Sequence, residues 1–281
     1  MPEQDRTSIR AVAVALAPHR NSQATNEYAL SFAEIFDASI KGFSLLSDPA
    51  LPLAGPLDAI PPSVIEDLLA RSETEARDTA AAFERQAQTV KPNALAEICR
   101  IGHIDPAQQL ATYARLFDIA IVPQAAADES ELPDFVQGTL LGSGHPVLVV
   151  PYIHKARASF ERILVCWDGS RPAARALSDA LPMLRRAKVV DVITAGSDEE
   201  VAAIQHGLEG YLAQHGVQAR LQSLNANGID IGNAILSYAA DAGTTLLVMG
   251  GYGHSRAREW ILGGVTRTIL ATMTVPVLLS H

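Results

Sequence analysis

The sequence predicts an α/β protein made of two doubly wound domains, each with a five-stranded parallel sheet. Three observations predict it. Short continuous Val/Ile/Leu runs alternate with helix-length segments, which is the pattern of parallel strands covered on both faces. The same order of elements, β-α-β-α-β-α-β-α-β, occurs twice. The length of 281 residues suits two medium domains better than one.

In the first half the strands are expected at Ile9–Leu16, Ile40–Leu46, Leu95–Ile101, Ile119–Pro123 and Pro146–Val150. Helices between them are expected at Ser22–Asp37, Pro62–Val90, Pro106–Leu116 and Asp134–Leu141. Ser63 and Glu66 stand at capping-box spacing, and Asp105 before Pro106 reads as an N-cap. Pro151–Ser159 reads as a linker, with domains at 1–152 and 160–281.

In the second half the strands are Arg162–Asp168, Val189–Thr194, Val217–Leu224, Thr245–Met249 and Val275–Ser280. The helices are Ala173–Arg186, Asp198–His215, Asp230–Ala242 and one opening at Gly263 and running to Thr272.

Composition excludes several classes. Hydrophobic residues make up 48% and charged residues 19%, enough for two buried cores. No apolar stretch reaches the roughly 20 residues of a bilayer span, and MPEQDRTSIR lacks the apolar core of a signal peptide, so no membrane partner and a cytoplasmic location are expected. Cys99 and Cys166 fall in strand-like runs and read as reduced core thiols. Residues 1–155 carry 11 basic and 20 acidic side chains, while 156–281 carry 11 of each. The net charge of −9 argues against nucleic acid and makes the neutral half the better host for an anion.

In an open parallel sheet, ligands bind beyond the carboxyl ends of the strands where strand order reverses. Asp168-Gly169-Ser170 and Gly250-Gly251-Tyr252-Gly253 follow the first and fourth strands of the second half. A helix opening at Gly263 would aim unpaired N–H groups at a phosphate, with Arg256, Arg258 and Arg267 in sequence reach.

The segment MGGYGHSRAREWILGGVTRTIL resembles the G-x2-G-x9-G-(S/T) nucleotide motif of the universal stress protein family, with Gly250, Gly253 and Gly263 as its glycines and Gly264 where the Ser/Thr belongs. RILVCWDGS and VPVLLS are similar to the family's opening and closing strands. The resemblance implies two adenine nucleotide alpha hydrolase-like domains packed as a pseudo-dimer. It also implies a ligand that is ATP or another adenine nucleotide, with or without Mg²⁺. Adenosine is expected at Cys166, Trp167, Asp168, Ile193 and Met249, and phosphates at Gly250, Gly253, His254, Gly263, Gly264, Val265 and Thr266. His254 reads first as a solvent-exposed loop residue, with phosphate or metal contact as the alternative. Ala17 stands where Asp168 does, and PQAAADESELPD replaces the glycine loop, so the first half reads as a degenerate copy.

Three functions follow: a nucleotide-binding stress-signalling protein without efficient turnover, a scaffold whose domains pair through their final strands, and an ATP-consuming enzyme such as a slow ATPase. No GxxxxGK[ST] loop, nucleophile elbow or zinc-binding cysteine cluster supports the last. No catalytic or metal-binding residue is therefore assigned. Beyond the pairing of the two domains, the sequence leaves a homodimer open.

Overall fold

The computed structural model describes residues 8–17, 22–47, 61–101, 105–124, 132–195, 207–224, 230–252 and 259–281. In the first half β1 (Ala11–Leu16), α1 (Ser22–Phe36), β2 (Ser39–Ser47), α2 (Pro62–Ala87) and β3 (Leu95–Ile101) come first. They are followed by α3 (Pro106–Ala114), β4 (Ile119–Pro123), α4 (Leu132–Ser143) and β5 (Val147–Val150). The second half has β6 (Arg162–Trp167), α5 (Arg171–Leu184), β7 (Val189–Ala195), a helical segment α6 (207–214) and β8 (Arg220–Leu224). It ends with α7 (Ile231–Ala242), β9 (Leu246–Gly250), α8 (Glu259–Thr272) and β10 (Val277–Ser280).

All ten strands form one sheet in the order β3-β2-β1-β4-β5-β10-β9-β6-β7-β8. Within each half the pairing is parallel, and the order reverses between the first and fourth strands of that half. The halves join where β5 and β10 pair antiparallel, with Leu148 opposite Leu278. Two doubly wound domains thus share one sheet about an approximate two-fold axis.

Successive strand residues point to opposite faces, so each strand feeds two apolar layers. On one face Val12, Val14, Ile163, Val165 and Val248 meet α1, α2, α5 and α6 through Phe32, Phe83, Leu177 and Leu212. On the other, Ala13, Leu164, Leu247, Met249 and Leu279 meet α3, α4, α7 and α8 through Leu110, Leu140, Ile235 and Ile269. Each layer runs through both halves.

Local chemistry sets the helix starts. Asp105 caps α3 by accepting from the Ala107 N–H at 3.1 Å, with Pro106 at the first helical position. Asp230 does the same for α7, accepting from the Asn233 N–H at 3.1 Å. The capping box expected at Ser63 and Glu66 does not form. Pro62 already has helical geometry, so the N-cap is Pro61 and Ser63 lies inside the first turn. At β8 only Arg220–Leu224 pairs, while Val217 is buried in the core. The expected helix at 198–215 is described only over 207–214.

Between β5 and β6 the chain lies along α1. The rings of His154 and Tyr28 meet edge to face at 5.4 Å, and the Ala158 N–H donates to Ser31 Oγ at 2.8 Å. Arg157 pairs with Glu34, and Phe160 packs edge-on against Phe32 at 5.7 Å.

Candidate functional site

The reversal of strand order in the second half lies between β6 and β9, with α5 following β6 on one face and α8 following β9 on the other. At the end of β6 the chain turns sharply. Gly169 takes φ +73°, a left-handed conformation that disfavours residues with a Cβ. The exposed Asp168 carboxylate accepts from the Ser170 N–H at 2.9 Å, and Ser170 Oγ caps α5 by accepting from the Ala173 N–H at 3.2 Å.

Cys166, Ile193 and Met249 lie side by side on the face covered by α7 and α8. Cys166 is paired with Ile193 in register and follows the Val165–Val248 pair as Met249 does. Val265 packs into the same layer from α8. Burial pushes the Cys166 thiol well above its ordinary value and the Asp168 carboxylate adds to the effect, so the thiol is neutral at neutral pH. Trp167 is placed apart from these residues. As the neighbour of Cys166 in a strand it points to the opposite face and packs against the α5 layer, its buried Nε1 without a hydrogen-bond partner.

The glycines after β9 have tight surroundings. A Cβ on Gly250 would stand 2.6 Å from the Ala173 nitrogen and 2.8 Å from the Pro172 carbonyl carbon. Gly250 therefore admits the first turn of α5 against the sheet. Gly251 donates its N–H to the Ser280 carbonyl at 2.9 Å, and its own carbonyl lies 3.0 Å from His281 Nδ1. Tyr252 takes φ +54° as the chain leaves the strand.

The structure corrects the expected helix start at Gly263. Helix α8 begins at Glu259, one turn earlier. The first-turn N–H groups therefore belong to Glu259, Trp260, Ile261 and Leu262, and Gly263 lies inside the helix. No proline or cap residue separates these residues from the glycine pair, so nothing local halts the helix there. Gly264 is exposed, with nothing within 4 Å of the place its Cβ would take, and Thr266 is buried. Gly253 and His254, like Arg256 and Arg258, lie outside the described residues. Among the described residues, no cluster of three or more His, Cys, Asp or Glu side chains could hold a metal ion.

The equivalent place in the first half is built differently. Ala17 follows β1 where Asp168 follows β6, and Pro123 and Gln124 take the register positions of Gly250 and Gly251. Gln124, which sequence reasoning missed, is buried and bonded to both halves. Its signal was available, since it directly follows the fourth strand as the glycine pair does.

The strand order and the helical cover on both faces define a doubly wound α/β protein. Residues 159–281 match the universal stress protein family. Over 141 residues the chain is 28% identical to universal stress protein Slr1230 of Synechocystis sp., a match covering 47% of this chain and 46% of that protein. Over 148 residues it is 26% identical to universal stress protein YxiE of Bacillus subtilis, covering 43% of this chain and 98% of that protein. The crystal structure of a universal stress protein from Archaeoglobus fulgidus superposes with a TM-score of 0.70 at 18% identity, covering 98% of this chain and 97% of that one. The family match covers the second half of the chain, and the fold of the whole is two doubly wound domains in tandem.

Proposed function

We propose that the second half binds an adenine nucleotide at the β6–β9 reversal and that the protein acts as a nucleotide-responsive stress protein of the cytoplasm without efficient catalysis. One observation carries this reading: the exposed carboxylate of Asp168 stands at the carboxyl end of β6, beside the apolar floor of Cys166, Ile193 and Met249. A carboxylate suits ribose hydroxyls, which donate hydrogen bonds, and an apolar floor suits the base. The first half, with Ala17, Pro123 and Gln124 in the matching positions, has no such group there, and we assign it a supporting role.

The adenosine end of the site is better supplied than the phosphate end. Phosphates would have to meet the first turn of α8, because Gly263 to Thr266 lie within the helix. Gly264 in place of Ser or Thr also removes a hydroxyl, and a hydrogen bond to a charged group is worth about 1.5–3 kcal/mol. That weakness favours the second reading, a scaffold whose two halves are held together at β5 and β10.

Mass spectrometry of ligands released from freshly purified protein, followed by a thermal-shift titration with ATP, ADP and AMP with and without Mg²⁺, decides between them. At 100 times Kd a bound nucleotide adds about 2.7 kcal/mol, which raises Tm by several degrees. Asp168→Ala is expected to abolish the shift while leaving the unliganded Tm within a few degrees of wild type. No nucleotide and no shift at millimolar ATP would leave the scaffold reading.

A further inference from the structure

We infer that Gln124 is a positioning residue through which the first half holds α8, the helix whose first turn would meet the phosphates at the second half's site. As a statement about that site, it rests on the nucleotide-binding reading. Gln124 directly follows β4 and is 2% exposed. Its Nε2 donates to the Leu270 carbonyl at 2.9 Å and approaches the Ala271 carbonyl at 3.4 Å. Both carbonyls lie in the last turn of α8, where a helix has no internal donors left. The Oε1 atom accepts from the Tyr152 N–H at 3.3 Å, and the Gln124 backbone N–H donates to the Val150 carbonyl at 2.8 Å. A buried side chain bonded at both ends has no spare freedom, so it fixes the helix end relative to the first half's sheet.

The arrangement is one-sided. The pseudo-symmetric counterpart of Gln124 is Gly251, which has no side chain and where an added Cβ would stand 2.8 Å from Leu140 Cδ2 on α4. The end of α4 is bonded from its own half instead, by Arg115 Nε donating to the Gly142 carbonyl at 3.0 Å. Among the described residues, α8 is thus bonded at its end by the opposite half and α4 from its own half, and α8 is the helix whose first turn would meet the phosphates. The position that in the second half belongs to the glycine loop has become, in the first, a brace for its neighbour.

The test compares the full-length wild type with Gln124→Met, which keeps the volume and removes donor and acceptor, and with Gln124→Glu, which keeps the shape and loses the donor. Amide hydrogen exchange is followed for α8, with α3 and α7 as internal references, and ATP affinity is measured by calorimetry. Protection of α8 is expected to fall about five- to tenfold in both variants, as for one lost hydrogen bond, with α3 and α7 unchanged. The Gln124→Glu variant regains protection as pH falls and its carboxyl takes up a proton that can be donated again, whereas Gln124→Met does not. ATP affinity falls by a similar factor in both. Unchanged α8 protection, loss spread equally over α3 and α7, or a loosened α8 with unaltered ATP affinity would each overturn the inference. If wild type binds no ATP, the nucleotide reading fails, and α8 exchange alone decides whether the brace exists. If neither variant folds, NMR of the wild type decides: the Gln124 side-chain NH2 protons are expected to be protected, and fast exchange would overturn the brace.

Discussion

Gly250 meets a demand set by a neighbouring helix. Its place in the glycine spacing suggested close approach of a ligand, and the structure shows that the first turn of α5 already needs the same space. The conspicuous glycine was legible in the sequence; its neighbour was not, because the contact depends on how α5 crosses the sheet. Gly250→Ala is expected to destabilise the protein by about 1–3 kcal/mol through overpacking against Pro172 and Ala173, read as a lower urea midpoint with unchanged m-value. Trp167 teaches the converse. Its separation from Cys166 follows from strand geometry alone and could have been read from their adjacency in RILVCW. A resemblance to a strand motif carries its residues over as a string and does not sort them by face.

At the scale of elements, strand positions were the most legible, because continuous β-branched runs have few other uses in a chain this apolar. Helix ends were the least legible. The start of α8 depends on whether the chain before the glycine pair continues the helix, and Ser63 lost its cap role because Pro62 had already begun α2. The segment joining the halves reads as a linker by composition, yet it is strapped to α1 by His154, Arg157, Ala158 and Phe160. Its pH response follows from burial. Desolvation lowers the His154 pKa from its ordinary 6.5, and a backbone hydrogen bond at Ala156 only partly opposes this. In the unfolded chain His154 takes up a proton as pH drops through about 6.5, and the folded protein resists it. The unfolded state then binds more protons, so stability is full above that pH and declines as pH falls toward the folded pKa. His154→Phe, which keeps a ring against Tyr28, is expected to flatten the fall in Tm between pH 7.5 and pH 5.5. An equally steep fall in the variant would assign the effect to other groups.

At the scale of the molecule, the shared sheet and the two apolar layers crossing it make the halves one structural unit despite their separate places in the sequence. The repeat was legible, and so was pairing through the final strands of the two halves, which β5 and β10 make; the antiparallel direction of that pair leaves no local mark on a sequence. Calorimetry is expected to show one unfolding transition, with calorimetric and van't Hoff enthalpies equal. Substituting Leu148→Ala at the join is expected to lower Tm while keeping the transition single, with a cost of about 2–5 kcal/mol for a fully buried leucine. Two resolved transitions in the wild type would show instead that the layers do not couple the halves.

The end-to-end sheet also gives the molecule an electrical polarity. All of the net charge of −9 belongs to the first half, and the sheet sets that half to one side of the β5–β10 join. An anionic solute therefore meets repulsion that weakens from the β3 edge toward the β8 edge. Within a Debye length of about 8 Å at physiological salt, the neutral half is the side on which such a solute can linger. The acidic half thus repels small anions near its own surface and leaves the neutral half as the side they can approach.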